Sequence, residues 1–142
     1  MSLGSTIRIA ASGLEAQRAR LELIASNLAN AQTTRTAEGG PYRRQLAVFA
    51  AQPIEGGGFA GALDEAARGT QIIDARSDPR PPVMRYEPGH PDANPEGYVA
   101  YPNIDPAEEM VDMLSAVRTY EANVNVVKTA RQMNESALSM IR

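Results

Sequence analysis

The chain has 142 residues, 43% of them hydrophobic but only 5% aromatic, with no Trp; that is material for one ordinary domain but not for a thick globular core. A formal net charge of -3, with a single Lys at position 128, excludes the basic field that nucleic-acid binding needs. With no Cys there is no disulfide framework, thiolate nucleophile or Cys metal site, and no apolar run approaches the ~20 residues of a membrane span.

Leu3, Ile7, Ala10, Leu14, Gln17, Leu21, Ile24, Leu28 and Ala31 fall on alternating three- and four-residue steps, and eight of these nine are apolar. That rhythm predicts a helix with one adhesive face along its length, capped by Ser2 or Ser5 and ending at Asn30 or Ala31. Gly13 in its middle costs about 1 kcal/mol relative to Ala, so it either lets a partner approach closely or weakens the helix. Gly4, Ser5, Thr6, Arg8 and Ser12 interrupt what would be the apolar stretch of a secretory signal. The expectation is a cytoplasmic chain, or one exported without a cleaved signal.

Gln32 to Pro41 reads as an extended linker, rich in Thr and closed by Gly39, Gly40 and Pro41. Tyr42 to Ala51 reads as a strand through Tyr42, Leu46 and Val48, followed by a flexible stretch centred on Gly56-Gly57-Gly58. Thr70 to Ala75 reads as a second strand, and Val83 to Tyr86, behind Pro79, Pro81 and Pro82, as a third lying at an edge. Glu87 to Asn103, with four prolines and two glycines, reads as a loop of fixed turns.

The closing helix has the clearest start: Asp105 as cap, Pro106 in the first position and Glu108 three residues after the cap. Along it Met110, Met113, Val117, Tyr120, Val124, Val127, Arg131, Asn134, Leu138 and Ile141 repeat the three-four rhythm, eight of ten apolar. The whole reads as an α+β chain: an N-terminal helix over 1–31, a linker and small β-rich domain over 32–103, and a C-terminal helix over 104–142. Two long helices, each with one adhesive stripe, are built to hold neighbours.

Little here suggests catalysis. The one histidine, His90, sits in Pro-Gly-His-Pro without further ligands or a nucleophile at a useful spacing, and reads as a turn residue bonded to local backbone. Glu108, Glu109 and Asp112 are explained by capping and the helix dipole. Arg35, Arg43 and Arg44 form a small patch for solvent or an acidic neighbouring subunit, and the Gly triplet lacks the Lys-Ser/Thr of a phosphate loop. No enzyme, no cofactor and no catalytic, cofactor-binding or metal residue is expected.

Ala11-Ser12-Gly13-Leu14-Glu15-Ala16-Gln17, then Leu21 and Ile24-Ala25-Ser26-Asn27-Leu28-Ala29-Asn30-Ala31, resembles the N-terminal signature of bacterial flagellar rod and hook proteins. The segments Thr33 to Arg44, Asp92 with Gly97 to Asn103, Glu108 to Met113 and Tyr120 to Val124 look like the proximal-rod members of that family. The resemblance runs from about Ile7 to Leu138 and is poorest over 52–68, which looks like a tolerated surface insertion. It implies a structural subunit of the flagellar basal-body rod, the drive shaft that crosses the periplasm, carries motor torque to the hook and encloses the export channel. It implies a coiled-coil-like inner domain from the two terminal helices and a small β-rich domain outside. The implied partners are the rod proteins FlgB, FlgF, FlgG and FliE, further copies of the chain in a helical assembly, and the type III export apparatus, with no nucleic acid and no direct membrane insertion. Mapped onto this sequence, the assembly seam would be Leu14, Leu21, Ile24, Leu28, Met113, Val117, Val124 and Val127. Asn27 and Asn30 would be signature polar positions making helix-end or inter-subunit hydrogen bonds. A helical-hairpin adaptor without a flagellar role is the alternative use of the same heptads.

Overall fold

The structure, a computed structural model, describes residues 3–53 and 68–140. Six elements follow in order: α1 (Leu3–Ala29), β1 (Gln45–Pro53), β2 (Arg68–Ser77), β3 (Val83–Tyr86), β4 (Tyr98–Tyr101) and α2 (Pro106–Ser139). This is the expected α+β arrangement of two long terminal helices around short strands. The triglycine at 56–58 and most of the 52–68 insertion lie outside the described residues, as do Ser2 and Ile141.

The helices are antiparallel. Gly13 meets Asn123, Arg20 meets Asp112 and Asn27 meets Glu109, so each step along α1 is matched by a step back along α2. At 1.5 Å per residue the 27 residues of α1 span roughly 40 Å and the 34 of α2 about 51 Å. The difference lies at the far end of α2, where residues 131–140 are all exposed. Gly13 is the close-approach glycine: a Cβ there would come within 2.8 Å of the Asn123 amide nitrogen. Among the described residues no helix is long and apolar enough to cross a membrane.

Both helix starts differ in detail from expectation. Ser5 is not a cap; it lies within the first turns of α1 and is fully buried. Asp105 does cap α2, its Oδ1 accepting from Ala107 N–H at 2.9 Å behind Pro106. Glu108, expected to complete the box, instead lies 3.5 Å from the Arg44 guanidinium.

The strands form two separate antiparallel hairpins, β1 with β2 and β3 with β4. The first strand begins three residues later than expected and ends two residues further on, at 45–53, and the second extends two residues beyond each expected end, at 68–77, where each continues the other's ladder. Val48 opposes Asp74 and Phe49 opposes Ile72, so Ile73 is the extra residue of a bulge. This hairpin packs on α1, where Ser12 Oγ accepts from Thr70 N–H at 3.1 Å. The second hairpin corrects the loop expected over 87–103: Tyr98–Tyr101 is a strand, paired with Val83–Tyr86. Its Val99 is fully buried, and the connection between the strands turns through Gly97 at φ +84°. Prolines and glycines around a four-residue strand hid it from a reading by composition.

Residues 32–44 are also not an extended linker. Tyr42 N–H returns to Thr33 O at 3.0 Å and Thr36 N–H to Gly40 O at 2.9 Å, closing a loop through Gly39 and Gly40, both at positive φ. Thr34 Oγ1 then donates to Asp92 Oδ2 at 2.8 Å and Arg35 lies 3.6 Å from the same carboxylate, tying this loop to the turn of the second hairpin.

Candidate functional site

A dense polar construction lies where α1, β1 and α2 meet, and Asn27 is its centre. Its Oδ1 accepts from Gln45 N–H at 2.8 Å while its Nδ2 donates to Gln45 O at 2.9 Å. The side-chain amide thus pairs with the first residue of β1 as a neighbouring strand would. The second Nδ2 hydrogen goes to Glu109 Oε2 at 3.2 Å, and Oδ1 also accepts from the Tyr42 hydroxyl at 3.2 Å. All four hydrogen-bonding positions of the amide are filled. That is the condition for a polar side chain only 2% exposed.

Glu109 is fully buried. Its other oxygen accepts from Arg44 Nε, and the same guanidinium lies 3.5 Å from Glu108 and 3.6 Å from Asp112. Asp112 also faces Arg20 at 3.6 Å. Two guanidinium groups therefore meet three carboxylates, drawn from α1, β1's approach and the first turns of α2. The acidic trio is thus more than cap and dipole, and Arg44 is not a surface residue awaiting a partner. Burial of this pair is sustainable because each charge has a partner in hydrogen-bond or ionic reach. Arg44 O accepts from Asp78 N–H at 2.8 Å, and Arg80, bonded to the Asp78 carboxylate through its side chain and its backbone N–H, holds that carboxyl below the usual range.

Asn30 does separate work at the end of α1. Its Nδ2 donates to Ser26 O at 2.9 Å and its Oδ1 accepts from the Thr33 hydroxyl at 3.1 Å, closing the helix into the loop that follows. His90 Nδ1 accepts from Asp92 N–H at 3.1 Å, the local backbone bond expected of a turn histidine. Its ring stands edge-on to Tyr101, whose hydroxyl donates to Glu87 at 2.9 Å; that bond raises the Tyr101 phenol above its ordinary range.

The seam residues divide. Ile24 is 5% exposed, and Leu14, Leu21, Leu28, Met113, Val124 and Val127 are half-buried. Val117 is 36% exposed and Met110, in the same row, 56%. The residues of α2 buried within the chain are Glu109, Ala116 and Ala130, and Asn123 touches Gly13. These four are spaced by sevens, one residue before the Met110-Val117-Val124 row. α2 therefore turns small and polar residues toward α1 and carries large apolar ones at the edge or outside.

Two readable signals bear on residues missed from sequence. Arg44 occupies the alternate-residue row of Tyr42, Leu46 and Val48, where a charge implies a buried counter-charge. Glu109, Ala116, Asn123 and Ala130 form a heptad row of their own, less conspicuous than its larger neighbour.

Two family profiles match the chain: "Flagella basal body rod protein" over residues 7–35 and "Flagellar basal body rod FlgEFG protein C-terminal" over 96–140. Similar proteins include the flagellar basal-body rod protein FlgC of Borreliella burgdorferi, 42% identical over 100% of this chain and 99% of the relative. FlgC of Yersinia enterocolitica is 42% identical over 99% and 98% of the two chains, and FlgC of Bacillus subtilis 36% identical over 99% of each.

Proposed function

The chain belongs to the flagellar basal-body rod family as an FlgC-like structural subunit of the proximal rod, and we propose that it joins its neighbours through the sides of its helix pair. The observation carrying this reading is the division of α2: Glu109, Ala116 and Ala130 are buried against the chain itself, while Met110, Leu114, Val117 and Tyr120 are exposed. Exposed apolar side chains repeated along one helix mark a contact surface rather than a solvated one. In this reading the seam of Leu14, Leu21, Ile24, Leu28, Met113, Val117, Val124 and Val127 stabilises the pair from within and meets other subunits at its edge. Asn27 and Asn30 hold the hairpin and loop in register with it.

Residues 1–31 and 104–142 form the inner, axial part and 32–103 the outer part of a helical assembly. The partners are further copies and the rod proteins FlgB, FlgF, FlgG and FliE. The rod so built spans the periplasm, encloses the export channel and transmits torque to the hook. The chain reaches it through the type III export apparatus without a cleaved signal, and carries no catalytic function. The polar junction around Asn27 supports a part that transmits torque, since the bonds of Asn27, Arg44 and Glu109 tie three segments into one body. The test is deletion and complementation. Cells lacking the protein should stop before the hook, seen by electron microscopy of basal bodies, and regain hooks when this chain is supplied; complete hooks in its absence would overturn the reading.

A further inference from the structure

We propose that His90 makes the tie between the loop over 32–44 and the second hairpin sensitive to pH, holding it while the imidazole is neutral and releasing it when the ring takes up a proton. Asp78, Asn94 and Asp105 each accept, through Oδ1, the N–H of the second residue after them, at 2.9, 3.0 and 2.9 Å. His90 makes the same bond to Asp92 N–H through Nδ1, at 3.1 Å. Amide oxygens and ionised carboxylates accept whatever the pH between about 8 and 5. Imidazole is the side chain whose ordinary titration falls in that interval, and Nδ1 stops accepting once it carries a proton. The turn at position 90 is therefore one that a proton can undo.

The bond matters because of what Asp92 holds. Its Oδ2 accepts from the Thr34 hydroxyl at 2.8 Å and its Oδ1 lies 3.6 Å from Arg35. These contacts bridge a cleft of about 410 Å³, with Gly39, Gly40 and Pro41 on the loop side and Pro91, Ala93 and Val99 on the hairpin side. With a proton on Nδ1, two donors would face each other at the distance of the present bond, so the ring and the Asp92 backbone must part. The groups around the ring come from three segments. In the turn after β3, Glu87 O accepts from His90 N–H at 3.0 Å, and the Glu87 carboxylate holds the Tyr101 hydroxyl. From β4, Tyr101 stands edge-on to the imidazole with centroids 6.3 Å apart, and Arg85 of β3 lies 4.7 Å from the Tyr101 ring centre. From the loop comes Arg35, already on Asp92. Glu87 and Asp92 favour a charged ring, whereas Arg85 and Arg35 oppose it. The imidazolium, having lost its bond to the Asp92 backbone, competes with Thr34 and Arg35 for the Asp92 carboxylate in its own turn. The tie across the cleft is thus complete above the imidazole titration and lost below it. None of these groups belongs to α1 or α2, so the change stays in the middle of the chain.

A single histidine makes the titration assignable, by NMR spectra of the full chain taken between about pH 8 and 5. The amide signals of Asp92, Thr34 and Arg35 should move with the midpoint of the His90 ring protons. Protection of the Asp92 amide, corrected for the intrinsic exchange rate, should fall roughly threefold to tenfold across that midpoint, the loss of one hydrogen bond. His90→Asn places an oxygen where Nδ1 stands, as Asn94 already does for Glu96 N–H, and should abolish all three movements. Asp92→Ala keeps the backbone N–H but removes the carboxylate. There the amide at position 92 should still follow His90, and those of Thr34 and Arg35 should not. Three results overturn the proposal: movements that persist in His90→Asn, Thr34 and Arg35 signals that stay still while His90 titrates, or a loop that still responds in Asp92→Ala.

Discussion

The two helices of this protein share a seven-residue rhythm but are used differently. α1 is enclosed on two sides, by α2 and by the β1–β2 hairpin, and none of its large apolar residues is among the exposed ones. α2 is enclosed on one side only, and Met110, Val111, Leu114, Val117, Tyr120, Val126, Met133 and Leu138 are all exposed. α1 is thus the centre of the protomer and α2 its boundary. A shared rhythm does not imply equal burial: what each helix buries depends on how many neighbours its single chain can bring to it.

The largest effect should come from the junction that makes α1 central. Glu109→Ala takes from buried Arg44 its one buried carboxylate and hydrogen-bond acceptor, leaving only the more distant Glu108 and Asp112, and removes an acceptor from Asn27. It should cost about 3–5 kcal/mol, measured by urea denaturation of the isolated chain, with the hairpin coming away from α1; an unchanged midpoint would mean that solvent takes the place of Glu109. Next, the helices themselves can be compared with one substitution. Leu21→Asp, half-buried on α1, should destabilise the isolated chain by roughly 2–3 kcal/mol. Leu114→Asp on α2 should stay within about 0.5 kcal/mol yet abolish swimming. Equal losses of stability would erase the distinction drawn between the helices.

A smaller and more local effect is expected at the second hairpin. Gly97→Val combines φ +84° with a Cβ only 2.8 Å from Tyr86 Cε2. Roughly 1–3 kcal/mol should be lost, visible as faster amide exchange in β3 and β4 while α1 and α2 keep their protection. His90→Ala should be the mildest. It removes one bond, from Asp92 N–H, worth about 0.5–1.5 kcal/mol, and swimming should match that of the unsubstituted chain; immotile cells with intact rods would give this loop a role beyond its shape.

Much of this protein could be read from the order of its residues. The three-four rhythm located both helices, the Asp105-Pro106 pair marked where α2 begins, and the short run at Val83–Tyr86 was recognisable between its prolines. These features depend on neighbours a few residues away, so local sequence specifies them. Gly13 was readable as a choice between close approach and a weak helix, and Asn123 on the facing helix resolved it.

Which face of α2 turns inward was settled by a different kind of contact. Two rows one residue apart, Glu109-Ala116-Asn123-Ala130 and Met110-Val117-Val124, both fit the heptad, and hydrophobicity favours the second. The first wins inside the chain because small side chains let the helices approach at Gly13, and because Glu109 must reach Arg44 and Asn27, 65 and 82 residues away in sequence. The strand at Tyr98–Tyr101 and the anchoring of the loop over 32–44 to the second hairpin have the same origin. Each depends on a hydrogen-bonding partner that a local pattern does not contain, Val83–Tyr86 for the strand and Asp92 for the loop. Periodicity supplies an adhesive stripe, but pairing of buried polar groups across long separations selects the stripe that the chain keeps for itself and leaves the other exposed.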